Sequence, residues 1–133
     1  MNYLTAEQVL FIHARLIAET GGEHGLLDLG LLQSAVARPQ ATFDKQDLYP
    51  DLFLKAAALL ESLIGNHAFL DGNKRTAITS AGLFLHLNDY CLKANNQQLE
   101  TFTLDCALHL FSLDQMALWH ENQSEVMSRS SNK

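Results

Sequence analysis

Between His67 and Arg75 the chain gathers an imidazole, a carboxylate, a glycine and two cations: His67, Asp71, Gly72, Lys74 and Arg75, with Asn73 among them. This combination suits the handling of a phosphate. Gly72 permits a tight turn or the close approach of a ligand to the backbone. A helix starting just after it would offer N–H groups without intrahelical partners, where an anion is favoured. Lys74 adds a point charge, and Arg75 a planar fork that matches phosphate oxygens. Asp71 is a hard oxygen donor of the kind that holds Mg²⁺ while phosphates complete the shell. His67 is the candidate general base, since imidazole can take a proton from an attacking hydroxyl at neutral pH. Polar groups at a junction between apolar helices must be hydrogen-bonded or in contact with solvent or ligand. The plainer reading is a capped helix start with cations facing water and a boundary histidine. The joint presence of base, carboxylate, glycine and cations favours the phosphate site.

Two apolar helices must hold this segment. Leu52 to Ile64 is rich in alanine and leucine, can be capped by Asp51, and is apolar around most of its circumference, which predicts a central buried helix. Gly65 and Asn66 are expected to end it. A second long apolar helix is predicted from Asn73 to Leu87, closed by Asn88 and Asp89. Before this pair, Thr5 and Gln8 form a capping-box pattern ahead of a helix reaching Thr20, with Val9, Ile12 and Leu16 at helical spacing. Gly21 and Gly22 stop it, and Asp28 can cap a second helix ending near Arg38, ahead of Pro39. Residues 39–50 read as a flap, a loop or short hairpin containing Thr42, Phe43 and Tyr49. After an extended connection at Tyr90–Leu92, Asn95 or Asn96 caps a helix to about Leu110, and Asp114 caps a last one to about Glu125. Residues 127–133 read as a disordered tail. The expectation is an all-α single domain of about six helices over residues 1–126, without internal repeats.

Bulk properties agree. The chain has 133 residues, 47% of them apolar, enough for a core without disulfide or metal staples. A net charge of −6 and basic residues scattered along the chain argue against a nucleic-acid binder. A local phosphate pocket is untouched by that balance, because clefts focus charge. Cys91 and Cys106 lack metal-site spacing and read as small buried apolar groups in a reducing compartment. No signal-peptide pattern opens the chain and no apolar run reaches the roughly 20 residues of a bilayer span, so a cytoplasmic protein is expected.

The residues His67, Phe69, Asp71, Gly72, Asn73, Lys74 and Arg75 closely resemble the active-site motif HxFx(D/E)GNGRxxR of the Fic/Doc family. They are most similar to its short Doc branch, the "death on curing" toxins, which carries lysine in place of the second glycine. The likeness extends to HGLLDLGLLQSAVARPQATF, QDLYPDLFLKAAALLESLIGNH and FLHLNDY, over roughly residues 3–125. The resemblance implies the Fic/Doc helical bundle, with a flap before its central helix. It implies ATP and Mg²⁺ as cofactors, with His67 deprotonating a target protein's hydroxyl and Asp71 holding the metal. Gly72, Asn73, Lys74 and Arg75 would bind the phosphates, and flap residues Thr42 and Phe43 would position the target.

Three positions depart from the motif: Ala68 where many members have proline, Lys74 at the second glycine, and Ile78 where AMP-transferring members keep a second arginine. The lysine fills part of the anion hole and the missing arginine removes a phosphate clamp. Both changes resemble the kinase-like members, in which ATP binds reversed and offers its γ-phosphate. Gly72, by contrast, is the residue of the AMP-transferring form. The expectation is phosphorylation of a protein hydroxyl, with translation elongation factor Tu as the target that the resemblance suggests. Adenylylation of a protein hydroxyl and a catalytically inactive antitoxin-binding domain are the alternatives, and a nuclease is disfavoured by the acidic surface. The family's inhibitory motif (S/T)xxxE(G/N) has no copy here, because four residues after Ser124 stands Ser128. A separate antitoxin inhibiting in trans is therefore expected.

Overall fold

Local capping signals place most of the helices. In the computed structural model, which describes residues 1–127, Thr5 and Gln8 close a reciprocal capping box ahead of α1 (Ala6–Thr20). Asp28 and Asp51 accept from the backbone N–H groups of Leu31 and Leu54, starting α2 (Leu29–Ala37) and α3 (Leu52–Asn66). A single 3-10 turn, Arg38–Gln40, carries the chain from α2 into the flap. The flap is a hairpin, β1 (Thr42–Phe43) against β2 (Gln46–Asp47), in antiparallel register Thr42↔Asp47. Asp44 and Lys45 at its tip both have positive φ, the geometry of the tightest hairpin turns.

The second half of the chain follows the same logic with three differences. Helix α4 (Asn73–Leu87) begins and ends where the apolar pattern predicts. Asn95, rather than Asn96, caps α5 (Asn96–Ala107), again through a capping box. That helix stops three residues short of Leu110. His109 takes φ 61° and lets its own N–H and that of Leu110 reach back to Cys106 and Asp105, a helix-terminating motif made here without glycine. The last helix, α6 (Leu113–Asn122), is capped by Ser112 with Gln115, not by Asp114. It ends before Glu125 because Ser124–Val126 forms a strand, β4, antiparallel to β3 (Tyr90–Leu92), the segment expected only as an extended connection. The pairing reaches Met127, whose N–H donates to the Asp89 carbonyl. The expected tail otherwise lies outside the described residues.

Helix α3 is the hub, packed against α4, α6 and α2. Its Ala56, Ala57, Ala58, Leu59 and Leu60 are all buried, and small side chains on two sides let neighbouring helices approach closely. Val9, Leu32, Phe69, Phe84, Leu85 and Phe102 fill the spaces around it. Among the described residues no helix is long and apolar enough to cross a membrane. Both cysteines are free; Cys106 is buried, whereas Cys91 is only half-buried on β3, short of the expected core position. Burial, helped by the charges of Asp105 and Glu61, pushes the Cys106 thiol up to about 12, so it stays protonated and inert.

One buried group makes the fold acid-sensitive. His120 is fully enclosed by Phe102 and Trp119, and its Nδ1–H donates to the Met116 carbonyl while Nε2 has no partner among the described residues. Burial lowers its pKa from 6.5 to about 4, against the smaller raising effect of the Met116 hydrogen bond. The unfolded chain therefore gains a proton at this site as pH falls from 6.5 towards 4, and the folded chain does not. Stability should fall across that window, by about 2–3 kcal/mol between pH 7 and 4.5. Urea unfolding at both pH values checks this, and a His120→Asn variant should show a correspondingly smaller drop. An unchanged drop in that variant would assign the acid sensitivity elsewhere.

Candidate functional site

The segment between α3 and α4 is held from three sides. Beneath it, Asn73 is 6% exposed and turns its side chain back on the loop: Nδ2 donates to the Phe69 carbonyl at 2.8 Å, and Oδ1 accepts from the Phe69 N–H at 3.0 Å. Phe69 in turn stacks on the buried ring of His13, with ring centroids 3.8 Å apart. His13 Nε2 lies 2.8 Å from the Asp71 carbonyl, and since a carbonyl only accepts, that nitrogen carries the proton. On the third side the loop from Gly21 to Asp28 pairs with the segment like a short strand. Leu27 and Asp28 donate to the Ala68 carbonyl, Leu70 donates to Gly25, and Leu26 bridges to Phe69.

This scaffolding fixes Asp71 and Gly72. The Asp71 carboxylate is exposed, but Oδ1 accepts from the Gly72 N–H at 2.9 Å and Oδ2 from the Glu23 N–H at 3.2 Å. Gly72 sits at φ 78°, where a Cβ would stand 3.1 Å from Ile17, so the position suits glycine twice over. It is the N-cap of α4, with no side chain capping the helix start. The first-turn N–H groups of α4 therefore have neither an intrahelical partner nor a capping side chain.

These groups open into a cleft of ≈ 230 Å³ lined by Asp71, Gly72, Asn73, Lys74 and Arg75 on one side and by the end of α1 on the other. Lys74 and Arg75 are exposed. Arg75 is steered by a 2.6 Å hydrogen bond from Nη1 to Thr20 Oγ1, whose own proton goes to the Leu16 carbonyl. A larger groove of ≈ 650 Å³ between α1, α4 and α5 shares Leu16, Thr20, Lys74 and Arg75 with the cleft, so the two are continuous. Ile78 lines that groove and is 9% exposed.

The sequence-predicted residues thus separate into groups. Asp71, Gly72, Lys74 and Arg75 meet in one cleft at a helix N-terminus, the arrangement expected of a phosphate site. Asn73 lines it too, but its side-chain amide is committed to the loop, which leaves only its backbone N–H to meet an anion there. His67 stands outside the cleft walls, exposed at the C-cap of α3 with φ 53°, and its ring makes no hydrogen bond to the described residues. Thr42 and Phe43 lie exposed on β1, away from the cleft lining. Among the described residues no three His, Cys, Asp or Glu side chains cluster to enclose a metal on their own. Mg²⁺ would fit as a shared ion, held by the spare lone pairs of Asp71 and by phosphate oxygens. Sequence reading missed His13, the Gly21–Asp28 pairing and the Thr20–Arg75 contact. Only the paired glycines at 21 and 22 hinted at a close approach.

Comparison with known proteins agrees with this geometry. Residues 3–85 match the model of the Fic/DOC family. The chain is 50% identical to the Toxin Doc of Mycolicibacterium smegmatis, over 80% of this chain and 85% of that protein. It is 35% identical to the protein kinase doc of Escherichia phage P1, over 66% of this chain and 69% of that protein. The matched region contains the flap, the loop from His67 to Gly72 and α4 as far as Leu85, and on that basis the chain belongs to the Fic/DOC family.

Proposed function

We propose that this protein transfers the γ-phosphoryl group of ATP to a hydroxyl of a target protein, with Mg²⁺, as a toxin restrained by a partner antitoxin. The observation that carries the choice of phosphoryl over adenylyl transfer is the pair Lys74 and Ile78. Lys74 lines the cleft at the α4 N-terminus, and one helical turn on, Ile78 is buried where a second phosphate-clamping arginine would otherwise project. The relative from phage P1, named a protein kinase, supports the same reading. Gly72, which matches the AMP-transferring motif, favours adenylylation as the second reading.

In the proposed reaction His67 takes the proton of the target's hydroxyl as its oxygen attacks the γ-phosphorus. The new O–P bond forms as the bond to the β–γ bridging oxygen breaks, and ADP leaves with the electron pair. Mg²⁺, when bound, would neutralise charge on the phosphates. Asp71 would hold the ion, while the first-turn N–H groups of α4, Lys74 and Arg75 stabilise the equatorial oxygens. The exposure of His67 lets it pass the proton to solvent. The flap strand with Thr42 and Phe43 is exposed, and would pair with target backbone to present its hydroxyl. The groove continuous with the cleft supports inhibition in trans, since an antitoxin segment lying there would cover Lys74 and Arg75. Elongation factor Tu is the first target to try.

Labelling with ATP carrying ³²P at either the γ or the α position tests the proposal. Label entering protein from the γ position alone supports it; label from the α position would establish adenylyl transfer instead. The metal role has its own test. A Cβ at Gly22 would fall 2.7 Å from Asp71 Oδ2 at φ +110°, so Gly22→Ala must displace that carboxylate. About tenfold more Mg²⁺ should then be needed for half-maximal transfer. An unchanged Mg²⁺ requirement would remove Asp71 from the metal site.

A further inference from the structure

The strands of the flap bury no side chain of their own. All four strand residues, Thr42, Phe43, Gln46 and Asp47, are exposed, and a two-stranded hairpin alone is marginal in water. Its position over the bundle must come from contacts at its stems. One of these is unusual: Lys55, on the buried face of the central helix, is 2% exposed. Its neighbours Ala56, Ala57 and Ala58 are fully buried, and an ammonium group there is costly unless each donor finds a partner. Lys55 Nζ donates to the Pro39 carbonyl at 3.2 Å and to Asp47 Oδ2 at 3.1 Å, and lies 5.8 Å from the Tyr3 ring. Pro39 precedes β1 and Asp47 ends β2, so one cation grips both stems of the hairpin. Arg38 secures the outer end, donating to Tyr49 Oη and, from another nitrogen, to Glu61 and Ser62 of α3. An apolar side chain would fill the Lys55 site at no desolvation cost, yet could not bind the flap.

We propose that Lys55 is a positioning residue for the flap, setting through Asp47 and Pro39 where the β1–β2 edge meets the target protein. Lys55 does not touch the nucleotide cleft, so its effect falls on target binding and not on ATP. This kinetic consequence rests on the transfer reaction proposed above; the structural one does not.

The test compares wild type with Lys55→Met, which keeps the chain length and removes the donors, and with Asp47→Asn. Hydrogen–deuterium exchange reads the flap directly, through the Leu48 N–H that donates to Ala41 and the amides of 42–47. The flap amides should exchange about tenfold faster in both variants, with those of α3 and α4 unchanged. With the extract protein that takes the γ label, KM for that protein should rise about fivefold while KM for ATP holds. Flap exchange equal to wild type, or equal acceleration throughout α3 and α4, would overturn the proposal. So would a rise in KM for ATP matching that for the target. If Lys55→Met fails to fold, Asp47→Asn, altered at a side chain that is 50% exposed, decides by the same criteria. Absence of any labelled protein with wild type would sink the transfer reading alone, and exchange would still judge the clamp.

Discussion

Replacing His67 by alanine is expected to lower phosphoryl transfer about 10²–10⁴-fold while leaving the fold in place. Both halves of that statement follow from where the ring sits. It is exposed at the end of α3 and hydrogen-bonded to nothing among the described residues, so its removal opens no cavity and orphans no buried partner. Its left-handed backbone strains any residue other than glycine, and alanine inherits that strain without adding to it. Meanwhile Asp71, Lys74 and Arg75 remain in their cleft, so ATP should bind as before. Single-turnover transfer and a thermal melt check the two halves separately. A variant within about threefold of wild type would remove His67 from the role of base.

Asn73→Ala is expected to fail for the opposite reason. Here the side chain does little at the surface and much inside. Both its amide groups bind the backbone of Phe69, itself buried against His13. Truncation strands a buried N–H and a buried C=O, a loss of about 2–4 kcal/mol, and frees the loop that aims Asp71 and the α4 N-terminus. Urea unfolding should show that loss together with collapse of transfer. Loss of transfer with less than about 1 kcal/mol of destabilisation would instead make Asn73 a direct phosphate ligand, the role its place in the motif suggests.

Asn73 also marks the limit of what the sequence discloses. The helices were legible because their signals are local: Thr5 with Gln8, Asp28, Asp51 and Asn95 each cap a helix within three residues of the group they bind. Asp71 to Arg75, which line one cleft, are also consecutive in the sequence and could be grouped from it, whereas His67 lies outside that lining. Part of what escaped depends on residues far apart in the chain. His13 reaches the Asp71 carbonyl across 58 positions, and nothing around it on α1 sets it apart from an ordinary helix residue. Lys55 is a charge on an apolar helix whose partner, Asp47, only the folded flap brings to it. Strand β4 escaped because a three-residue pairing with β3 has no period long enough to recognise. The end of α5 was misplaced because a histidine, not a glycine, takes the left-handed position.

The most direct measurement of the central claim is the intact mass of elongation factor Tu, and of extract proteins fractionated alongside it, after incubation with this protein, ATP and Mg²⁺. The His67→Ala form serves as control. A gain of about 80 Da, one phosphoryl group, present with wild type and absent with the variant, is the predicted result. A histidine-dependent gain equal to an AMP unit would contradict it, and would mean that Gly72 outweighs Lys74 and Ile78 in setting how the nucleotide lies in the cleft.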